Sequence, residues 1–180
     1  MKAKIQDIKL IDYLQFDEDS QKIYDPLIEA IKPSKTGKQL IDLTFDEVET
    51  LKIALQEFEL ENIKVVYKIF KDTEANDENL YLLEIMQVWK TGVEILNEVA
   101  NFEQKLKAKV TDEQKEAGID NFNALKSAGT KIGIGKQFGQ RPREVGEWLW
   151  FEVWEIRMYN VIENNYNLKL KEILTRNISQ

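Results

Sequence analysis

Apolar positions along this chain recur mostly at three- and four-residue steps, the repeat that gives a helix one buried side. Phe45, Val48, Leu51, Leu55 and Phe58 follow that repeat and predict a helix from Phe45 to about Leu60. Thr44 stands in front of it as a cap, with Glu47 three positions on to reach back to its backbone. A longer run, through Leu80, Leu83, Met86, Trp89, Val93, Leu96, Val99, Phe102 and Leu106, predicts a central helix entered at Asn76-Asp77-Glu78. At 1.5 Å per residue that helix is a rod of about 40 Å, with Gly92 its weak point at about 1 kcal/mol against Ala. Ile63 to Phe70 is β-branched enough for a strand, but its helical neighbours favour a helix. Asp25-Pro26 predicts a short helix before Pro33, and Thr111 with Gln114 predicts a second capping box, closed by Gly118 in a left-handed cap. Met1 to Asp19 suits a short strand or an extended arm.

The expected fold is therefore mainly α, one helical domain over residues 1–180, with long central and C-terminal helices and a small β element near the N-terminus. Within it, residues 1–43 form an N-terminal arm with short elements. Residues 129–140 form a flexible Gly-rich loop, holding Gly129, Gly133, Gly135 and Gly139, half of the chain's 8 glycines. Residues 141–175 form an aromatic helical region, begun by Arg141-Pro142 with proline in the first turn.

Composition narrows the chemistry. Among 180 residues there is no Cys and no His, which removes thiolate and imidazole metal sites, disulfides and the triads that need a histidine base. The Gly-rich basic stretch 129–143, with Lys131, Lys136, Arg141 and Arg143, suggests phosphate binding. The spacing matches neither a P-loop, since Thr130 stands where its first glycine belongs, nor a dinucleotide fingerprint, since Phe138 replaces the third glycine. An EF-hand counted from Asp72 fails at Asp77 and Leu83. No catalytic residue, cofactor site or metal site is assigned. With no uncharged apolar run of membrane-spanning length, and with Lys2, Lys4, Asp7 and Lys9 breaking any leader core, no membrane contact is expected.

Charge is unevenly spread. Residues 1–120 hold 26 Asp/Glu and 16 Lys/Arg, net −10, and residues 121–180 hold 6 and 9, net +3, which restores the −7 of the whole chain. The overall negative charge argues against direct nucleic-acid contact and for protein partners. All four Arg and three of the four Trp lie in the last 40 residues. Trp148-Leu149-Trp150-Phe151-Glu152-Val153-Trp154 is apolar around nearly the whole helix. Such a segment is either the central helix of its own domain or is covered from two sides, once by a partner. The candidate interface set is Arg141, Arg143, Trp148, Trp150, Phe151, Trp154 and Arg157, with Trp150 and Trp154 expected to drive self-association or docking.

Two blocks carry a resemblance. Gln39-Leu40-Ile41-Asp42-Leu43-Thr44-Phe45-Asp46-Glu47-Val48 is a short hydrophobic run leading into a capped helix. Ala117-Gly118-Ile119, Phe138-Gly139 and Arg141-Pro142-Arg143-Glu144-Val145 precede an aromatic terminal helix. Together they cover under a fifth of the chain and resemble small assembly proteins of tailed bacteriophages, tail-assembly chaperones being the nearest type. The resemblance implies a non-enzymatic assembly or structural component, located in the virion or the host cytoplasm. It also implies a homo-oligomer that binds other virion or assembly proteins. The aromatic density after Glu147 departs from the chaperone pattern and suits a built-in subunit equally well. The alternative is a cytoplasmic enzyme or nucleotide binder working through 129–143.

Overall fold

The computed structural model describes residues 4–34, 37–74 and 80–178, apart from the side chains at 120, 122, 123 and 178. It is 74% helical. The α-helices are α1 (Leu10–Leu14), α2 (Glu18–Lys22), α3 (Asp25–Ala30), α4 (Phe45–Ala54), α5 (Leu60–Lys71), α6 (Leu82–Glu103), α7 (Asp112–Glu116), α8 (Lys126–Phe138), α9 (Pro142–Gly146) and α10 (Trp150–Ile178). The mainly α class is as expected. Among the described residues there is no strand, and the anticipated β element shrinks to isolated antiparallel bridges, Lys9 with Tyr81 and Thr44 with Leu149. The predicted helix entry Asn76-Asp77-Glu78 lies outside the described residues.

The chain divides into two compact units. The first comprises residues 1–39 and 47–98, the second 40–46 and 99–180.

In the first unit, Ile8, Leu10, Ile31, Ile63, Leu80, Leu82, Ile85 and Met86 make a buried cluster. The Lys9–Tyr81 bridge ties it together, with Leu10 N donating to Leu80 O at 2.8 Å and Leu82 N to Ile8 O at 2.9 Å. Residues 63–70 lie in α5, with Ile63, Val66, Ile69 and Phe70 buried at helical spacing, so burial on one side outweighs the β-branched preference. Gly92 does not break α6. A Cβ there would stand 2.9 Å from Leu55 Cδ1 and 3.5 Å from Phe70, so the missing side chain is what admits those neighbours. The end of α3 is closed by Lys90, whose ammonium donates to the carbonyls of Ile28 (2.6 Å), Glu29 (2.9 Å) and Ile31 (2.9 Å). The three donors meet three carbonyls at the negative end of the helix dipole, of which Ile28 O also accepts from Ile31 N at 3.2 Å. α4 ends at Ala54 rather than Leu60, and the turn that follows lets Phe58 meet Trp89 edge-on at 4.9 Å.

In the second unit, Leu40, Leu43, Phe45, Val99, Ile134, Val145, Trp150 and Val153 are buried. The Thr111–Gln114 capping box forms as predicted at the start of α7, and Gly118 takes φ +81° after it.

The expectation of a flexible loop over 129–140 is corrected: α8 runs through Phe138 and only Gly139 and Gln140 fall beyond it. Gly135 serves packing and Gly139 termination. Gly139 caps the helix in the left-handed region, φ +68°, its N–H bonded to Gly135 O. Gln140 N donates to the same carbonyl at 2.8 Å, so the chain doubles back over Gly135. A Cβ on Gly135 would lie 2.7 Å from Gln140 O. α9 then starts on Pro142, with Arg141 N donating to Glu144 Oε2 at 2.8 Å. Gly146 is its last residue, and there the Asp46 carboxylate occupies the space a side chain would fill.

Candidate functional site

The start of α10 is fixed by a distant piece of its own unit. Phe45 N donates to Trp148 O at 2.8 Å and Trp150 N donates to Leu43 O at 2.9 Å, which pins Leu149 against Thr44. Glu152 Oε2 accepts from Leu149 N at 3.1 Å and completes the helix entry. Trp150 thereby turns inward and is only 1% exposed.

Around Phe102, at the end of α6, three rings gather edge-to-face: Trp150 at 5.9 Å, Phe151 at 5.1 Å and Trp154 at 5.1 Å between centroids. Trp154 Nε1 donates to Phe102 O at 3.1 Å, which satisfies the indole's one donor inside the unit. Arg157 reaches Glu103 at 3.8 Å, with both side chains about one-third exposed. These contacts correct the expectation that Trp150 is an interface residue. It belongs to the core of the second unit, and Phe151, Trp154 and Arg157 are half-buried beside it. The physical reason is Phe102, which lies about fifty positions earlier and offers the ring faces that sequence neighbours do not.

The remaining candidates stay at the surface. Arg141 and Arg143 are exposed, and the Arg143–Glu147 pair, 3.8 Å apart with side chains 91% and 70% exposed, is of the weak solvated kind. Trp148 is half-buried and packs edge-on against Phe138 at 5.8 Å, while Phe138 itself is 49% exposed. Leu149 is 40% exposed next to them. The structure thus splits the predicted set in two: Trp150 in the core with Phe151, Trp154 and Arg157 half-buried beside it, and Arg141, Arg143 and Trp148 outside it, Trp148 packed on Phe138, which the set did not include. Lys131, on the basic stretch, pairs with Asp46 at 2.8 Å. A helical 126–138 offers no run of loop amides to a phosphate.

Beyond Arg157, α10 uses only one side within its unit. Asn160 and Gln137 exchange amide bonds, Lys109 N donates to Asn165 Oδ1 at 2.9 Å, and Leu168 lines a groove of about 870 Å³ with Thr111, Gln114 and Lys171. The other side carries Tyr159, Ile162, Tyr166, Leu170, Ile173 and Leu174, each between 39% and 63% exposed. The stripe keeps three- and four-residue spacing in the sequence, but it was not among the predicted interface residues, which end at Arg157.

At the groove, the Glu113 carboxyl is held below its ordinary range first by its own backbone N–H and then by the Thr111 hydroxyl, with desolvation acting against them and the Lys171 ammonium adding the least. A lowered folded-state value stabilises α7 above the unfolded carboxylate value of about 4.3, and that contribution disappears as pH falls through the folded value. Amide-exchange protection at Lys115 and Ala117, which bond back to Thr111 and Glu113, is expected to drop below about pH 4, and Glu113→Gln to remove that dependence.

Compared with known protein families, curated proteins and solved structures, the chain matches none.

Proposed function

We propose that this protein is a non-enzymatic, protein-binding component of a larger assembly. The observation that carries the reading is the Phe138–Trp148 ring pair, edge-on at 5.8 Å with much of its surface still open, together with the exposed Arg141 and Arg143 on the segment that joins the two rings. Rings supply area at low entropic cost and guanidinium groups supply directed contacts, which is the composition of protein interfaces at their energetic centres. The setting in a tailed-bacteriophage virion or its tail assembly rests on the two resembling sequence blocks. In that setting the partners are other virion or assembly proteins, in the particle or the host cytoplasm.

The test is co-expression with the products of neighbouring genes, portal, tape-measure and tail-tube proteins being the partners the phage setting names. A complex is expected that Arg141→Glu with Arg143→Glu weakens at least tenfold while the melting temperature stays within a few degrees. Both side chains are solvated, so the substitution leaves the core intact. Absence of any complex, together with a thermal shift on adding a nucleotide or phosphorylated metabolite, would replace this reading with the ligand-binding alternative.

A further inference from the structure

Six large apolar side chains lie in the open along α10. At 100° per residue Tyr159, Ile162, Tyr166, Leu170, Ile173 and Leu174 fall within a sector of about 120°, opposite the side that bonds to Gln137 and Lys109. Taking about 200 Å² for a large side chain, their exposures amount to roughly 600–700 Å² per chain. Twice that, about 1,300 Å² when fully covered, lies in the range of stable specific interfaces.

Charge along the same helix is polarised. Glu152, Glu155 and Glu163 against Arg157 leave the first half at −2, and Lys169, Lys171 and Arg176 against Glu172 leave the second half at +2. A copy laid parallel would meet like with like; a copy laid antiparallel meets its opposite.

The spacing is symmetric as well. About Tyr166, positions three away are Glu163 and Lys169, four away Ile162 and Leu170, seven away Tyr159 and Ile173, and eight away Met158 and Leu174. A two-fold axis through Tyr166 therefore matches apolar with apolar and acid with base at every one of these steps, at the three, four and seven spacing of an antiparallel coiled-coil seam.

We propose that the occupant of this stripe is a second copy of the chain, its α10 antiparallel and centred on Tyr166. The pairing is independent of the assembly reading above, since it uses a different side of the unit and needs no other protein.

Sedimentation across a concentration series is expected to give a mass of twice 21.1 kDa for the full chain. Glu163→Lys and Lys169→Glu, both at exposed positions, are each expected to weaken the dimer about tenfold by facing like charges twice across the axis. The double exchange restores opposite charges and should recover affinity to within about threefold. The chain has no cysteine, so introduced ones are unique. Protomers carrying Tyr159→Cys mixed with protomers carrying Ile173→Cys should form a disulfide, and neither variant should cross-link alone. A chain that stays monomeric up to about 100 μM, far weaker than a standard interface supports, overturns the proposal. So does a dimer in which the double exchange fails to restore affinity, or one in which Tyr159→Cys cross-links with itself.

Discussion

Replacing Trp150 with Ala is expected to cost about 3–5 kcal/mol and to remove most of the cooperative unfolding of the second unit. The ring is 1% exposed, meets Phe102 at 5.9 Å and Phe151 at 5.3 Å, and stands where α10 leaves the Thr44–Leu149 bridge. Nothing small fills that volume, so the change loses transfer free energy and leaves a cavity. Trp154→Ala should cost less, about 1–2 kcal/mol, because that ring is half-buried and its loss removes one hydrogen bond to Phe102 O and two edge contacts, with Phe102 and Phe151. Urea unfolding followed by far-ultraviolet dichroism checks both values. A Trp150→Ala chain within 1 kcal/mol of the parent would mean that the ring is not a core element.

Gly135→Ala is expected to destabilise by about 1–3 kcal/mol, the range for an atom forced into a filled space. The added methyl would sit 2.7 Å from Gln140 O, a backbone atom held by the return of the chain onto Gly135 O, so relief requires moving α9 away from α8. Gly133→Ala, two residues earlier, meets nothing within 4 Å and should stabilise by about 0.5–1 kcal/mol through helix propensity and a stiffer unfolded chain. The opposite signs of two equal chemical changes in one helix separate packing from flexibility. In a chain of this length each kcal/mol moves the melting temperature by about 2–4 °C, enough to resolve the pair by calorimetry.

Local signals were legible. Thr111 with Gln114 and Gly118 read correctly because a capping box and its left-handed stop lie within eight residues and need no partner from elsewhere. The start of α4 at Phe45 was equally readable, and so was α6 as a long helix. The misread places depend on contacts that residue types and spacing do not show. Four glycines between 129 and 139 look like a loop until Gln140 O is known to pass over Gly135. Trp150 looks like an anchor for a partner until Phe102 arrives beside it. α4 stops at Ala54 without glycine or proline, and Phe58 beyond the turn packs on Trp89, 31 positions later. For the functional face, composition alone pointed to Arg141, Arg143 and Trp148. It could not rank them above Trp150, since burial is a property of the folded unit.

The pairing of Leu43 and Phe45 with Trp148 and Trp150 also dictates an order of events. These groups lie about 105 residues apart, and closing a free loop of that length costs on the order of 4 kcal/mol of chain entropy. Residues 40–46 leave the ribosome long before the helix that they anchor, and in the meantime Leu43 and Phe45 have no α10 to cover them. Collapse of residues 47–98 into their own unit shortens the effective tether, so the second unit gains most if the first has already formed. A fragment beginning at residue 99 would keep four of the ten α-helix starts and still lack the two backbone bonds that set the direction of the longest one.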